Sequence, residues 1–534
     1  MQALKARTSR SGLTTGLGGW PTACALVALT YFLATIVGKL RSRGLYVEDD
    51  AYYYLIVAKN LAATGSSTFD QQSLTNGYHP LWLAVLVLQN LTIGPSLLAT
   101  AILQALLLTG AVFLLLRLAP QEHRVVQVGF TGVFALLIGS IGMNGMEVAL
   151  WTFCLAGLLT VTIWAERDTT RGAWVGVAAA ACIGARIDSV LFVVPFVLAA
   201  PIGRSAKVSA LAGLAALGLL YAVYNFASFG VVMPISSTIK SLGGLQINHL
   251  MLAQLAPLDP RQHARLYVIT LMALLASPGL IPLSKPGTMG RALAIASTMG
   301  GALYLIKLLF LSSWILWPWY NFAILFPLVA GLLVLPCYID ATVNRLTISL
   351  WPIGPSRIGL ALAITGLCLL GLLGVAAYRK PFKQDNEFAA TNREAVRSYG
   401  ALLNGARVAM GDRSGSFAAS YAGPVVQLEG LVNDGAYLKA VTGDVDPRAL
   451  LCGRKVRYVI SYERDLGAYD NFDVALLRPN LTQFSSGALT VWRGDEVVHM
   501  RYRESQSLRV LMAQDRRDLY IWRLRCSDIR GPSA

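Results

Sequence analysis

Three consecutive carboxylates, Glu48-Asp49-Asp50, stand before the aromatic run Tyr52-Tyr53-Tyr54 and are well suited to acid–base chemistry. Aspartates at the start of a helix can act only as caps, because they accept backbone N–H bonds and favour the positive end of the helix dipole. Neighbouring like charges also raise the pKa of one carboxyl, which suits it to take a proton from a hydroxyl. Asp49 and Asp50 are therefore candidate catalytic residues, and candidate ligands of a divalent cation (Mg, Mn or Ca) if one is used.

A second group of ionisable residues lies in short turns between apolar segments. These residues are Glu147, Arg186, Asp188 and Lys240. An unpaired charge at a lipid boundary is costly, so each is a functional candidate. Arg186 and Asp188 can simply form a mutual ion pair, but Arg186 and Lys240 can also clamp an anionic phosphate opposite a base.

Aromatic residues and one histidine accompany these charges. Tyr53, Trp319 and Tyr320 fit the aromatic belt at a membrane interface, and they can also stack on sugar rings or lipid tails. His79 precedes Pro80 and is expected near the interface, as a surface histidine or as a ligand of the substrate. We expect Tyr53, His79, Glu147, Asp188, Trp319 and Tyr320 to bind donor or acceptor.

Several other functions are disfavoured. The chain contains no Gly-rich phosphate loop, no His/Cys metal pattern and no Gly-x-Ser-x-Gly elbow, which argues against an enzyme that consumes nucleotides. The net charge is +16, but the basic residues fall singly in short loops and form no stripe for nucleic acid.

The composition places most of the chain in a membrane. Of 534 residues, 55% are hydrophobic and 14% charged, against roughly 25% charged in an ordinary soluble domain. Charged residues are sparse before residue 379 and frequent after it. The chain is therefore predicted to be a polytopic helical protein over residues 1–378, followed by an α/β domain over residues 379–534.

Eleven apolar segments approach the roughly 20 residues that a spanning helix needs, two of them short. They are Trp20–Leu40, Leu81–Leu118, Val126–Met143, Val148–Trp164, Gly172–Ala185, Ser189–Ile202, Val208–Phe229, Leu266–Leu283, Ala292–Leu311, Phe322–Ile339 and Ile358–Tyr378. Leu81–Leu118 is long enough for two helices. With the amino terminus inside, most basic loops fall inside, which places residues 41–80 and the polar tail outside.

The polar tail alternates short β-branched and aromatic runs with Gly, Asp and Asn turns, as small α/β domains do. It contains Cys452 and Cys526, which can form a disulfide if the tail lies in an oxidising compartment. Sequence alone leaves that pairing open, because it does not show whether the two Cα atoms approach.

The ordered set of motifs resembles GT-C integral-membrane glycosyltransferases, which use polyprenyl-phosphate sugars. The motifs are Asp49-Asp50, Thr75-Asn76-Gly77 with Pro80-Leu81-Trp82, Gly145-Met146-Glu147, Arg186-Ile187-Asp188, Phe229-Gly230 with Pro234-Ile235-Ser236 and Lys240, and Trp317-Pro318-Trp319-Tyr320. Within that class the chain is most similar to mycobacterial terminal arabinofuranosyltransferases and their bacterial relatives.

The resemblance implies an inverting transfer of a sugar from a polyprenyl-phosphate donor to a cell-envelope glycan or protein. Asp49 would be the general base with Asp50 as partner, and Arg186 and Lys240 would hold the donor phosphate. The implied location is the bacterial cytoplasmic (inner) membrane, with the tail in the periplasm. Two alternatives stay open: a transporter or flippase of lipid-linked saccharide, and a glycan-binding membrane protein without catalysis.

Overall fold

The computed structural model describes residues 19–43, 47–118, 132, 142–167, 171–241, 244–249, 251–252, 274–275, 277–284, 286–312, 320, 387–411, 413–442, 447–462, 473–476, 489–500, 519–524 and 526. The predicted spans Val126–Met143, Phe322–Ile339 and Ile358–Tyr378 lie wholly or mostly outside these residues, and half of Leu266–Leu283 does. In the described part, five helices are long and apolar enough to cross a membrane. The chain is therefore an integral membrane protein, and the count of eleven spans stays a prediction.

Helices dominate the described residues before position 312. They are α1 (Trp20–Arg43), α2 (Asp49–Thr64), α3 (Pro80–Thr92), α4 (Leu97–Leu118), α5 (Val148–Arg167), α6 (Gly172–Ala185), α7 (Val190–Ala199), α8 (Arg204–Phe229), α9 (Ile235–Lys240), α10 (Leu280–Leu283) and α11 (Met289–Phe310). The five candidate spans lie in α1, α4, α5, α8 and α11. Shorter apolar helices α3, α6 and α7 lie among them.

The segment predicted as Leu81–Leu118 consists of two helices. Gly94 adopts a positive φ of 92° after α3, and Pro95 follows it, a combination that ends a helix. The 13 residues of α3 extend only about 20 Å, less than the roughly 30 Å of a hydrocarbon core. Of the two alternatives that the sequence left open, one helix or two, the structure has two, and α3 is too short to cross alone.

Small residues bring neighbouring helices close together. A Cβ added at Gly172 of α6 would lie 2.5 Å from the Ala206 Cβ of α8, and one added at Gly300 of α11 would lie 2.8 Å from the Phe192 Cα of α7. Such close backbone approach is how membrane helices gain packing energy without a hydrophobic driving force. α6 thus packs closely on α8, and α7 on α11.

The described tail forms a six-stranded sheet with helices. Its elements are α12 (Glu387–Leu403), β1 (Val408–Met410), α13 (Ser414–Ala418), β2 (Val425–Gln427), α14 (Gly435–Thr442), α15 (Pro447–Gly453), β3 (Tyr458–Tyr462), β4 (Asp473–Leu476), β5 (Leu489–Met500) and β6 (Leu519–Leu524). The strand order is β2-β1-β3-β6-β5-β4. β1 pairs in parallel with β2 and β3, and the other neighbours are antiparallel.

A disulfide joins Cys452 at the end of α15 to Cys526 just after β6, with Cα atoms 5.8 Å apart. The pairing that the sequence left open is therefore present. It closes a loop over a sequence separation of 74 residues. The division of the chain at residue 378 stays a prediction.

Candidate active site

A cavity of about 290 Å³ lies where helix ends meet the tail. Its lining includes α2 through Asp50, Tyr53 and Tyr54, and the tail contributes Leu431 and Val432. Gly77 also lines it, and a Cβ at Gly77 would lie 1.8 Å from the Leu431 carbonyl oxygen, so only glycine permits this approach. The cavity is therefore built jointly by the helical part and the tail.

The two aspartates at the start of α2 have different surroundings. Asp49 is 2% exposed, and its two carboxylate oxygens accept the backbone N–H groups of Gly415 and Ser416, each at 2.9 Å. Asp50 is half-buried and lines the cavity, whereas Asp49 does not. Asp50 is therefore the carboxylate that faces the cavity, and Asp49 joins α2 to α13. Which of the two acts as the base stays a prediction.

The surroundings of Asp50 favour a carboxyl that takes up a proton readily. Burial raises the pKa of Asp50, the Lys240 charge lowers it, and the Asp49 charge raises it, with a net upward shift. A carboxylate with a raised pKa is a stronger base than an ordinary aspartate, which suits general-base catalysis. The sequence argument from neighbouring like charges thus holds for Asp50, although burial is the larger cause.

Arg186 is held between two carboxylates. Its Nη1 donates to Glu147 Oε1 at 2.7 Å, and its Nε lies 2.8 Å from Asp188 Oδ1. Nη2 also donates to the Tyr304 hydroxyl at 3.1 Å. The mutual pair of Arg186 and Asp188 considered from the sequence is therefore present. Two carboxylates already compensate this guanidinium, and phosphate binding by Arg186 stays a prediction.

Lys240 ends α9 and reaches the cavity, where its Nζ donates to the Tyr320 hydroxyl at 3.0 Å. Burial works against its charge, but Tyr320 and Asp50 outweigh it and raise the pKa of Lys240. The Tyr320 ring lies under two cations, 5.8 Å from Lys240 Nζ and 5.6 Å from Arg186 Cζ. Lys240 is therefore a charged group positioned to meet an anion in the cavity.

His79 is the residue before α3, and its ring lines the cavity. Nδ1 accepts the Ile187 N–H at 3.3 Å, and Nε2 lies 3.6 Å from Glu147 Oε1. Its backbone N–H donates to the Tyr54 hydroxyl at 3.2 Å. Burial lowers the pKa of His79 and outweighs the opposing effect of Glu147. The imidazole is therefore predominantly neutral at pH 7.

Two predicted aromatic residues remain, Tyr53 and Trp319, and only Tyr53 is among the described residues. Tyr53 lines the cavity, and its hydroxyl accepts from Ser414 Oγ at 3.3 Å. Trp319 lies outside the described residues. Asp50, Tyr53, His79, Glu147, Arg186, Asp188, Lys240 and Tyr320 thus meet at one cavity, and Asp49 does not line it.

Sequence reasoning missed several residues at this cavity. Lys307 lies inside the apolar helix α11, and its Nζ is 3.8 Å from Asp188 Oδ2. A lysine within a 22-residue apolar helix was a usable signal, because intramembrane charges are rare and usually functional. Leu431 and Val432 also line the cavity, but no motif in the surrounding sequence marks them as functional.

Asp49 and Asp50 do not face the same space: both carboxylate oxygens of Asp49 accept backbone N–H groups, whereas Asp50 lines the cavity. Binding of a divalent cation by the two aspartates stays a prediction. In the described part of the chain, no group of three or more His, Cys, Asp or Glu is arranged for a metal ion.

No family model matches the chain, and no curated protein matches its sequence. Solved structures do match. The crystal structure of the Archaeoglobus fulgidus oligosaccharyltransferase has a TM-score of 0.49 at 11% identity, covering 84% of this chain and 70% of that one. Arabinofuranosyltransferase AftD from Mycobacteria has a TM-score of 0.46 at 14% identity, covering 96% and 40%. ArnT from Cupriavidus metallidurans has a TM-score of 0.40 at 11% identity, covering 95% and 98%.

The structural neighbours are GT-C glycosyltransferases. That is also the class which the sequence motifs resemble. At these identities the likeness concerns the fold alone, and this chain spans 40% of the length of AftD.

Proposed function

We propose that this protein is an inverting glycosyltransferase that moves a sugar from a polyprenyl-phosphate donor to a cell-envelope glycan or protein acceptor. The observation that carries the proposal is the shared cavity: Asp50, with a raised pKa, lines it together with Lys240 and Lys307. A base and two cations in one cavity provide what a displacement at an anomeric carbon needs. The resemblance of the motifs indicates arabinofuranose as the sugar.

In the proposed reaction the Asp50 carboxylate takes the proton of an acceptor hydroxyl. The acceptor oxygen forms a bond to the anomeric carbon as the bond from that carbon to the phosphate oxygen breaks. The polyprenyl phosphate leaves with the electron pair, and Lys240 and Lys307 stabilise its charge. A single displacement of this kind inverts the anomeric configuration.

Positioning accounts for the rest of the catalysis, because a polyprenyl phosphate is already a good leaving group. Arg186 acts here by holding Glu147 and Asp188 in place. It forms an ion pair with each of these two carboxylates.

The proposed location is the outer face of the bacterial cytoplasmic membrane. The disulfide supports an oxidising compartment for the tail, since such bonds are rare in the cytosol. Labelling of a cysteine introduced at Ala436, an exposed residue near Asn433, tests the sidedness. An impermeant reagent should label it in intact cells, and labelling only of permeabilised cells would place the tail inside.

The test of the function uses purified protein, a polyprenyl-phosphate pentose and a glycan acceptor. We expect Asp50→Asn to lower the rate of transfer by at least about 100-fold, the scale of general-base catalysis. Asp49→Asn is the matched control, because it removes the same charge one residue away and outside the cavity. Unchanged transfer by Asp50→Asn would refute the assignment of the base.

A further inference from the structure

Glu147 presents a hydrogen-bond acceptor that no described group uses. The residue is 1% exposed and lines the cavity, and Arg186 binds only its Oε1. Oε2 is buried and has no hydrogen-bond partner among the described residues. A buried carboxylate oxygen without a partner carries a desolvation cost, which a bound donor group would offset.

His79 supplies the complementary donor next to it. Because Nδ1 accepts the Ile187 N–H, the neutral ring carries its proton on Nε2. Nε2 is 3.6 Å from Glu147 Oε1, too far for a direct hydrogen bond but close enough for one atom to contact both side chains. One corner of the cavity therefore offers a donor and an acceptor side by side.

The chemistry of this corner selects one kind of ligand group. A phosphate oxygen can only accept and carries the same charge as Glu147, so it is repelled. A hydroxyl both donates and accepts, so it can donate to Glu147 Oε2 while it accepts from His79 Nε2. We infer that Glu147 and His79 recognise one hydroxyl of the donor sugar and thereby select a hydroxylated sugar over its deoxy analogue.

This inference rests on the proposed function and deepens it by dividing the cavity. Lys240 and Lys307 bind the phosphate, and Glu147 and His79 bind a hydroxyl of the sugar that is attached to this phosphate. Arg186 separates the two tasks, because it holds Glu147 in place through Oε1 and leaves Oε2 for the ligand.

The experiment measures equilibrium binding and transfer on the full-length protein in detergent. The probes are a short polyprenyl-phosphate arabinofuranose and analogues in which each hydroxyl is replaced in turn by hydrogen or by fluorine. In the wild type we expect one hydroxyl position at which either replacement raises Kd by about 10- to 100-fold. Neither hydrogen nor fluorine at that position can donate a hydrogen bond to Glu147.

Glu147→Gln then tests the residue itself. Arg186 requires an acceptor, so the amide oxygen faces Arg186 and the amide NH₂ takes the place of Oε2 as a donor. The rise in Kd caused by fluorine at that one position should be at least fivefold smaller in this variant than in the wild type. The rise in Kd at the other positions should be unchanged. Glu394→Gln is the matched control, because Glu394 pairs with Arg397 on the partly exposed surface of α12 and does not line the cavity.

Equal changes at every position, or an unchanged rise in Kd at the selected one, would overturn the inference. If Glu147→Gln does not fold, His79→Phe removes the donor half of the pair and should reduce the rise in Kd caused by replacing that hydroxyl with hydrogen. Binding with this selectivity but without transfer by the wild type would refute the proposed function and leave the inference standing. No binding of any probe by the wild type would overturn both.

Discussion

The two neighbouring aspartates should respond in opposite ways to the same substitution. Asp49→Asn replaces one of two carboxylate oxygens that accept backbone N–H groups, each at 2.9 Å, with an amide that cannot accept. A hydrogen bond to a charged group is worth roughly 1.5–3 kcal/mol, and Asp49 is almost fully buried, so little solvent replaces it. We expect Asp49→Asn to destabilise the protein by roughly 2 kcal/mol.

Asp50→Asn should not destabilise the fold. The raised pKa of Asp50 means that the folded protein disfavours its charged form. The stability that this group contributes is present below its unfolded pKa of about 3.8 and is lost as the pH rises through the higher folded value. At pH 7 the neutral asparagine removes that unfavourable charge, so the unfolding temperature of Asp50→Asn should equal or exceed that of the wild type.

Thermal unfolding of the purified protein and the rate of transfer are measured together on both variants. Asp49→Asn should lose stability and keep activity at temperatures where it is folded, whereas Asp50→Asn should lose activity and keep stability. The acid limb of the wild-type rate should also lie above pH 3.8, because the base must be deprotonated. A stable, inactive Asp49→Asn beside an active Asp50→Asn would refute the reasoning.

Three further predictions concern the walls of the cavity and the tail. Gly77→Ala should lower the unfolding temperature and the rate of transfer, since its Cβ would lie 1.8 Å from the Leu431 oxygen; Gly157→Ala, with no atom within 4 Å, is the control and should be tolerated. Lys240→Met should raise the KM for the phosphate donor by about tenfold, measured against kcat, because it removes a charge-assisted contact to the phosphate. Cys452→Ser should destabilise the tail by roughly 4 kcal/mol in the chain-entropy model for this loop, and reductant should shift the wild-type unfolding temperature in the same direction.

Local features of the fold were predictable from the sequence. The bounds of Gly172–Ala185 agree with the structure, and α2 begins at the expected aspartates. The ends of a helix depend on the hydropathy and turn residues of a few neighbouring positions, so a single sequence is enough to predict them. The split between α3 and α4 was suggested by length alone, and Gly94 followed by Pro95 was the missed signal.

Pairings between distant residues were not predictable. Asp49 and Gly415 are 366 positions apart, and Arg186 and Glu147 are 39 apart. No periodicity links such positions, because their approach depends on how whole helices pack. The sequence could not decide between Asp49 and Asp50 for this reason: adjacent residues on a helix point in directions about 100° apart, and only packing decides which one faces the cavity.

The charges of the cavity explain how donor binding and base strength are coupled in the proposed reaction. Among the described lining residues, Asp50, Glu147 and Asp188 oppose Arg186, Lys240 and Lys307. Two of the three carboxylates are bound to Arg186, so Asp50 depends mainly on Lys240 for compensation. An arriving phosphate competes for Lys240 and adds a negative charge, and both effects favour the protonated form of Asp50. The donor therefore strengthens the base that its own displacement requires.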